Sequence, residues 1–213
     1  MKGIFISLEG GEGSGKTTII EELKKKLTDL DVVYTREPGG TKISEDIRNI
    51  LLSSENKEMS PYTEALLYAA SRAQHVQEKI KPAIEEGKIV ISDRFVDSSL
   101  AYQSAGRELP LNDIISINDF AMQKCIPDIV FFINVPPQVA FERIKKRKNL
   151  DRLETETQDF HQRIYDYFVS HKDEYWEIDG TKSVDEEVAE IIMVIKKYIE
   201  FIQNEENNLE KSL

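Results

Sequence analysis

Short apolar runs alternate along the chain with longer segments in which apolar residues recur every three to four positions. The run Ile4–Leu8 reads as a buried strand, and Val32–Thr35, Ile89–Ser92, Ile129–Asn134 and the short Trp176–Asp179 read as further strands. Between them the spacing predicts helices from Thr17 to about Leu30, from the 36–41 loop to about Leu52, and from Ser60 toward Glu86. Further helices are predicted over Asn112–Lys124, onward from Pro137, over Asp159–Tyr175, and from Val184 to about Gln203. Ser60 is a candidate N-cap, with Pro61 at the first helical position, where its missing N–H is not needed. Ser183-Val184-Asp185-Glu186 has the spacing of a capping box. Pro82 lies inside a helical pattern and predicts a kink or a break there. The polar tail over 204–213 is expected to fray. Strand–helix alternation of this kind predicts an α/β fold, a five-stranded parallel sheet with helices on both faces and right-handed crossovers. No repeat or linker divides it, so residues 1–213 read as one domain.

Composition narrows what such a domain can do. With 40% hydrophobic and 31% charged residues, the chain can bury a sizeable core. Its net charge of −11 repels polyanions, so a nucleic-acid partner is not expected. A small anionic substrate requires positive charge gathered in one cleft. Cys125 is the sole cysteine, which excludes an internal disulfide. It precedes an apolar run and has no activating neighbour in sequence, so a buried, inert thiol is expected. The run Ile4-Phe5-Ile6 is too short for a secretion signal, and no stretch approaches the roughly 20 apolar residues of a membrane span. A cytoplasmic protein with no membrane partner is expected.

The first strand leads into Gly10-Gly11-Glu12-Gly13-Ser14-Gly15-Lys16-Thr17, which matches G-x-x-x-x-G-K-[ST] between a strand and a helix. Glycines let the backbone curl so that successive N–H groups face inward as an anion nest, and the helix N-terminus adds its dipole. Lys16 reaches the β- and γ-phosphates, and the Thr17 hydroxyl ligates Mg²⁺. Thr18 completes the ATP-binding stretch. The guanine-reading N-K-x-D is missing, since Asn56-Lys57-Glu58-Met59 lacks the aspartate. The third strand ends in Asp93-Arg94 rather than the Asp-Glu of ATP-driven motors. An Asp-Arg pair there suits a kinase of small anions: the carboxylate places the metal or nucleophile, and the guanidinium grips a phosphate.

Three further segments carry a specific resemblance. Asp93-Arg94-Phe95-Val96-Asp97-Ser98-Ser99-Leu100-Ala101-Tyr102-Gln103 resembles the signature of the thymidylate kinases. Thr35-Arg36-Glu37-Pro38-Gly39-Gly40-Thr41 is similar to that family's second signature, and Leu66-Leu67-Tyr68-Ala69-Ala70-Ser71-Arg72 to its thymine-binding helix. The resemblance covers nearly the whole chain. It implies that Tyr68 and Arg72, four apart on one helix face, stack on a pyrimidine and donate to its carbonyl oxygen. Phenylalanine is usual in the family where Tyr68 stands. Ser98, Ser99 and Gln103 are implied on the substrate, with Ser99 and Gln103 on the base and Tyr102 against the sugar. Arg48 and Arg94 would hold the acceptor phosphate, with Glu37 and Pro38 as pocket wall and Arg36 as a less secure contact.

The basic run Arg143, Lys145, Lys146, Arg147, Lys148 and Arg152 resembles the family's lid, over about 143–157. The variable positions of the phosphate loop hold no basic residue, so the lid is expected to supply the catalytic charge, as in many bacterial members. Arg152 is the first candidate and Arg147 the second, with Arg143 stacked on adenine and the 179–183 turn closing over its edge. The implied reaction is phosphorylation of dTMP to dTDP with MgATP, by Lys16, Asp93, Arg94 and a lid arginine. A homodimer through helices near Tyr62–Lys79 and Asn112–Lys124 is also implied. The competing readings are another small-molecule or nucleoside monophosphate kinase, and a nucleotide-binding regulator.

Overall fold

The computed structural model describes residues 3–146, 148 and 150–211. Five strands, β1 (Ile4–Glu9), β2 (Val32–Arg36), β3 (Ile89–Asp93), β4 (Ile129–Asn134) and β5 (Trp176–Asp179), form one sheet in the order β2-β3-β1-β4-β5. Every pairing is parallel. The expected strands are all present, and the first three each run one residue further, to Glu9, Arg36 and Asp93. Those added residues are polar, and apolar patterning does not report them.

Side-chain alternation assigns the two faces. Ile4, Ile6 and Leu8 of β1 pack with α1 (Lys16–Lys26) and α9 (Val184–Lys211) through Ile19, Leu23, Val188, Ile191 and Ile195. On the other face Phe5, Val90 and Phe95 pack with Val76, Ile80 and Cys125. Cys125 is buried, as expected, and burial pushes its thiol up to about 11. The remaining α-helices are α2 (Lys42–Leu52), α3 (Pro61–His75), α4 (Lys81–Glu85), α5 (Val96–Ser99), α6 (Leu111–Met122), α7 (Pro137–Ile144) and α8 (Gln158–Ser170), with a π-helical stretch over Leu100–Gly106 following α5. None of the described helices is long and apolar enough to cross a membrane.

The caps are those of the sequence. Ser60 accepts from the Thr63 N–H at 3.2 Å, and Ser183 and Glu186 bond reciprocally. Two expectations about helix ends need correction, whereas the one at Pro82 holds: the α-helix is interrupted just before it, widening into a π-helical stretch over Val76–Ile80 and resuming as α4. The π turn redirects the carbonyls where the proline has no N–H to offer. The first helix ends at Lys26, not near Leu30, with three lysines in its last turn favoured by the helix dipole. The last helix continues past Gln203 to Lys211. Polar helix formers propagate an established helix although they bury no face.

Candidate active site

The C-terminal ends of β1 and β3 meet around one cleft of about 330 Å³, lined among others by Lys16, Thr17, Thr18, Glu37, Arg48, Asp93 and Arg94. Its donor end is backbone. After Glu9 the chain turns through Gly10–Gly15, and Gly15, at φ 97, stands as N-cap of α1 without a side-chain cap. The first N–H groups of α1 therefore have no side-chain acceptor at that cap. Gly13 needs its lack of a side chain twice over. Its φ is 73, and a Cβ would lie 2.6 Å from the Ala140 carbonyl oxygen of α7. The Lys16 ammonium donates to the carbonyls of Gly10 and Gly11 at 3.0 and 3.1 Å and to Ser14 Oγ at 2.9 Å. Burial, helped by the charge of Arg94, lowers it to about 8 against the pull of Asp93 and Glu12. Arg143 donates to the carbonyls of Gly13, Ser14 and Gly180, tying α7 to the phosphate loop and to the turn after β5.

Beside the loop, Thr17 Oγ1 lies 3.5 Å from Asp93 Oδ2, and Asp93 Oδ1 is buried with no hydrogen-bond partner. A hydroxyl and a spare carboxylate oxygen fit a hard cation that keeps phosphate and water ligands. No cluster of three or more His, Cys, Asp or Glu suited to a metal occurs among the described residues.

The acceptor end is made of side chains. Arg94, at φ 69, donates to Gly10 O at 2.7 Å, Ser98 Oγ at 3.1 Å and Glu12 Oε1 at 2.6 Å, with its guanidinium over the Tyr102 ring. The Tyr102 hydroxyl donates to the same Glu12 oxygen at 3.0 Å. Burial alone would raise Glu12, but Arg94, Lys16 and Tyr102 outweigh it and hold it near 2. Buried Glu9 accepts from the Phe95 N–H and the Ser98 hydroxyl, each at 2.6 Å, and so fixes the turn that carries Arg94. Burial and then the Asp97 carboxylate push Glu9 up to about 8.

Behind these lies a narrower pocket lined by Tyr68, Arg72, Ser98, Ser99, Tyr102 and Gln103. Arg72 is 1% exposed. It donates to Glu37 Oε2 at 2.8 Å, Ser99 Oγ at 3.0 Å, the Phe95 carbonyl at 2.9 Å and the Asn118 amide oxygen. Four of its five N–H groups are thereby used within the protein. His75 Nδ1 lies 3.0 Å from the other Glu37 oxygen, and since a carboxylate only accepts, Nδ1 carries the proton. Nε2 is hydrogen-bonded to the Thr35 hydroxyl at 2.6 Å. Gly40, at φ 90, is forced by this pair: a Cβ would sit 2.6 Å from both Nε2 and Thr35 Oγ1. Pro38 follows a cis peptide bond, and its carbonyl accepts from Arg48 at 2.7 Å.

The structure thus brings Lys16, Thr17, Asp93, Arg94, Arg48, Glu37 and Pro38 to one cleft, and Tyr68, Arg72, Ser98, Ser99, Tyr102 and Gln103 to the adjoining pocket. It does not bring Arg152 there. Arg152 is buried, donates Nε to the Leu51 carbonyl at 2.8 Å, and forms a 2.7 Å ion pair with Glu64 that is not aligned as a hydrogen bond. Its neighbours Asp151, Leu153 and Glu154 line the cleft instead. Arg147 lies outside the described residues. Sequence reasoning missed Glu9, Glu64, His75 and Asn118. A signal existed for α3: Glu64, Tyr68, Ser71, Arg72 and His75 keep helical spacing, and all but Tyr68 are buried. Polar residues there follow the period normally read from apolar ones.

A phosphate loop facing acceptor-side arginines across a single cleft, on a parallel sheet, is the architecture of a P-loop nucleoside monophosphate kinase. Comparison with known proteins makes the assignment narrower. The sequence model of the family described as thymidylate kinase matches residues 8–191. The thymidylate kinase of Lactobacillus acidophilus is 48% identical over 206 residues, covering 92% of this chain and 95% of that one. That of Oceanobacillus iheyensis is 51% identical over 170 residues, covering 78% and 76%. The crystal structure of thymidylate kinase from Ehrlichia chaffeensis superposes with a TM-score of 0.71 at 31% identity, covering 92% of this chain and 99% of that one. The chain belongs to the thymidylate kinase family.

Proposed function

We propose that this chain transfers the γ-phosphoryl group of ATP to dTMP, giving dTDP for dTTP synthesis. The observation that carries this reading is the single cleft in which Lys16 and the α1 N-terminus face Arg48 and Arg94. Two polyanions held at its two ends meet in line. No protein nucleophile is required, because a phosphate monoester oxygen attacks; the task is positioning and charge neutralisation. Lys16 neutralises the transferring group, and Arg48 and Arg94 hold the acceptor phosphate. Thr17 and Asp93 would hold Mg²⁺, which supplies charge neutralisation at the β- and γ-phosphate oxygens. In the inner pocket Tyr68 stacks on the base, the spare Arg72 N–H meets a ring carbonyl, Gln103 meets the ring edge, and Tyr102 packs on the sugar.

The lid charge at the transferring group falls to Arg147. Arg152 is already committed to Glu64 and Leu51, and releasing it would leave a buried carboxylate short of a partner. The exposed apolar residues Tyr62 and Leu66 of α3 and Leu111 and Ile115 of α6 support a homodimer through these helices. ADP production with MgATP is the test, against dTMP, dUMP, UMP, dCMP, AMP and no acceptor. Rapid turnover with dTMP alone is expected. Equal slow hydrolysis in every well would replace the kinase with a regulator.

A further inference from the structure

Gln103 is 1% exposed, and its two amide ends are treated differently. Nε2 donates to Glu64 Oε1 at 3.0 Å, whereas Oε1 is buried without a hydrogen-bond partner. A carboxylate offers only acceptors, so the amide has one permitted orientation as long as Glu64 is ionised. Glu64 is fully buried, and burial alone would raise its carboxyl. The Arg107 guanidinium, with Oε1 at 3.1 Å and Oε2 at 2.9 Å, then Gln103 and Arg152, outweigh burial and hold it below the usual range. The unpartnered Gln103 oxygen therefore belongs to a residue that lines the inner pocket, and the bond to Glu64 holds it as an acceptor.

We propose that Glu64 is a specificity-determining positioning residue: it locks the Gln103 amide so that the pocket presents an acceptor and demands a ring N–H from the substrate. The inference rests on the placement of the base proposed above. A thymine or uracil ring supplies that N–H at N3, flanked by carbonyl oxygens that accept from donors such as the spare Arg72 N–H. A cytosine ring has a bare nitrogen at N3 and an amino group beside it. Against the locked pocket it sets acceptor against acceptor and donor against donor, leaving buried polar groups unpaired. If Gln103 could turn over, its NH₂ would satisfy the cytosine nitrogen. Glu64 forbids that turn without touching the substrate.

The test is the ratio of kcat/KM for dTMP to that for dCMP, measured on the full-length chain with MgATP. Glu64→Gln removes the acceptor-only character and lets Gln103 adopt either orientation. Glu64→Asp withdraws the oxygen from Gln103 but keeps the charge that Arg107 and Arg152 face, so it serves if the first variant does not fold. The ratio is expected to fall about tenfold or more in both, through a higher KM for dTMP with kcat retained and a gain in dCMP turnover. An equal loss for both substrates, with the ratio unchanged, overturns the proposal and leaves Glu64 as a structural partner of Arg107 and Arg152. Gln103→Met separates this from the underlying reading. A raised KM for dTMP keeps Gln103 on the base, and an unchanged KM removes it.

Discussion

The two ends of the cleft are built on opposite principles. At the donor end, eight consecutive residues form the loop, and its backbone is shaped by glycines at positive φ, the geometry in which successive N–H groups can form an anion nest. At the acceptor end, side chains of α3 reach across to other elements: Arg72 bonds Glu37 and Asn118, and Glu64 bonds Gln103. Backbone recognition is insensitive to most side-chain changes but intolerant of any Cβ at a crowded glycine. A buried side-chain network has the opposite weakness, because each deletion leaves a charge or donor without its partner.

Arg72→Met should break the comparison most visibly. It strands the buried Glu37 carboxylate with His75 alone, and a loss of about 3–5 kcal/mol of stability is expected in denaturant unfolding. A loss below 1 kcal/mol would show that the network is relaxed by water and that the two ends do not differ. Lys16→Met should do the reverse, with turnover falling about 10²- to 10³-fold and the unfolding midpoint not lowered. The sign follows from its depressed value of about 8 against an unfolded 10.5. The penalty for burying the ammonium is fully present below pH 8 and disappears as pH rises to the unfolded value, so removing the charge at pH 7 relieves it.

The lid sharpens the comparison further. Arg147→Ala is expected to lower kcat about 10²-fold with little change in KM, as for a group acting only in the transition state. Arg152→Ala should instead lower the unfolding midpoint and leave kcat within about tenfold. The reverse pattern would return the catalytic role to Arg152. A pH series is milder: kcat/KM for MgATP should decline as pH climbs through about 8, where free Lys16 loses its proton. Lys16→Arg should lack that limb. The smallest effect is expected for Tyr102→Phe, which deletes a donor to a Glu12 oxygen that Arg94 already holds. Tyr102→Ala should relax selection against the ribose analogue of dTMP while changing stability more than activity.

Much of this was legible in the chain, and the illegible part has a physical explanation. Short apolar runs located all five strands, and the cap at Ser60 and box at Ser183 appear where residue chemistry demands them. Apolar periodicity could not report the π-helical turn before Pro82, because a change of hydrogen-bond partner leaves side-chain pattern nearly intact. Nor did it identify Glu9 and Glu64, whose burial contradicts what their residue type predicts.

By itself the sequence determined the five strands and the phosphate-loop motif, because propensity, backbone permissiveness and local spacing act between neighbours in the chain; the residues expected at the acceptor end came from the resemblance to the thymidylate kinases. Only the tertiary structure decided that Arg152 faces Glu64 instead of the cleft, that one carboxylate serves Arg107, Arg152 and Gln103, and that the Gln103 oxygen has no hydrogen-bond partner. Those outcomes depend on which buried donors find which acceptors across the fold, and that pairing is settled by three-dimensional proximity under the penalty for leaving any of them unpaired.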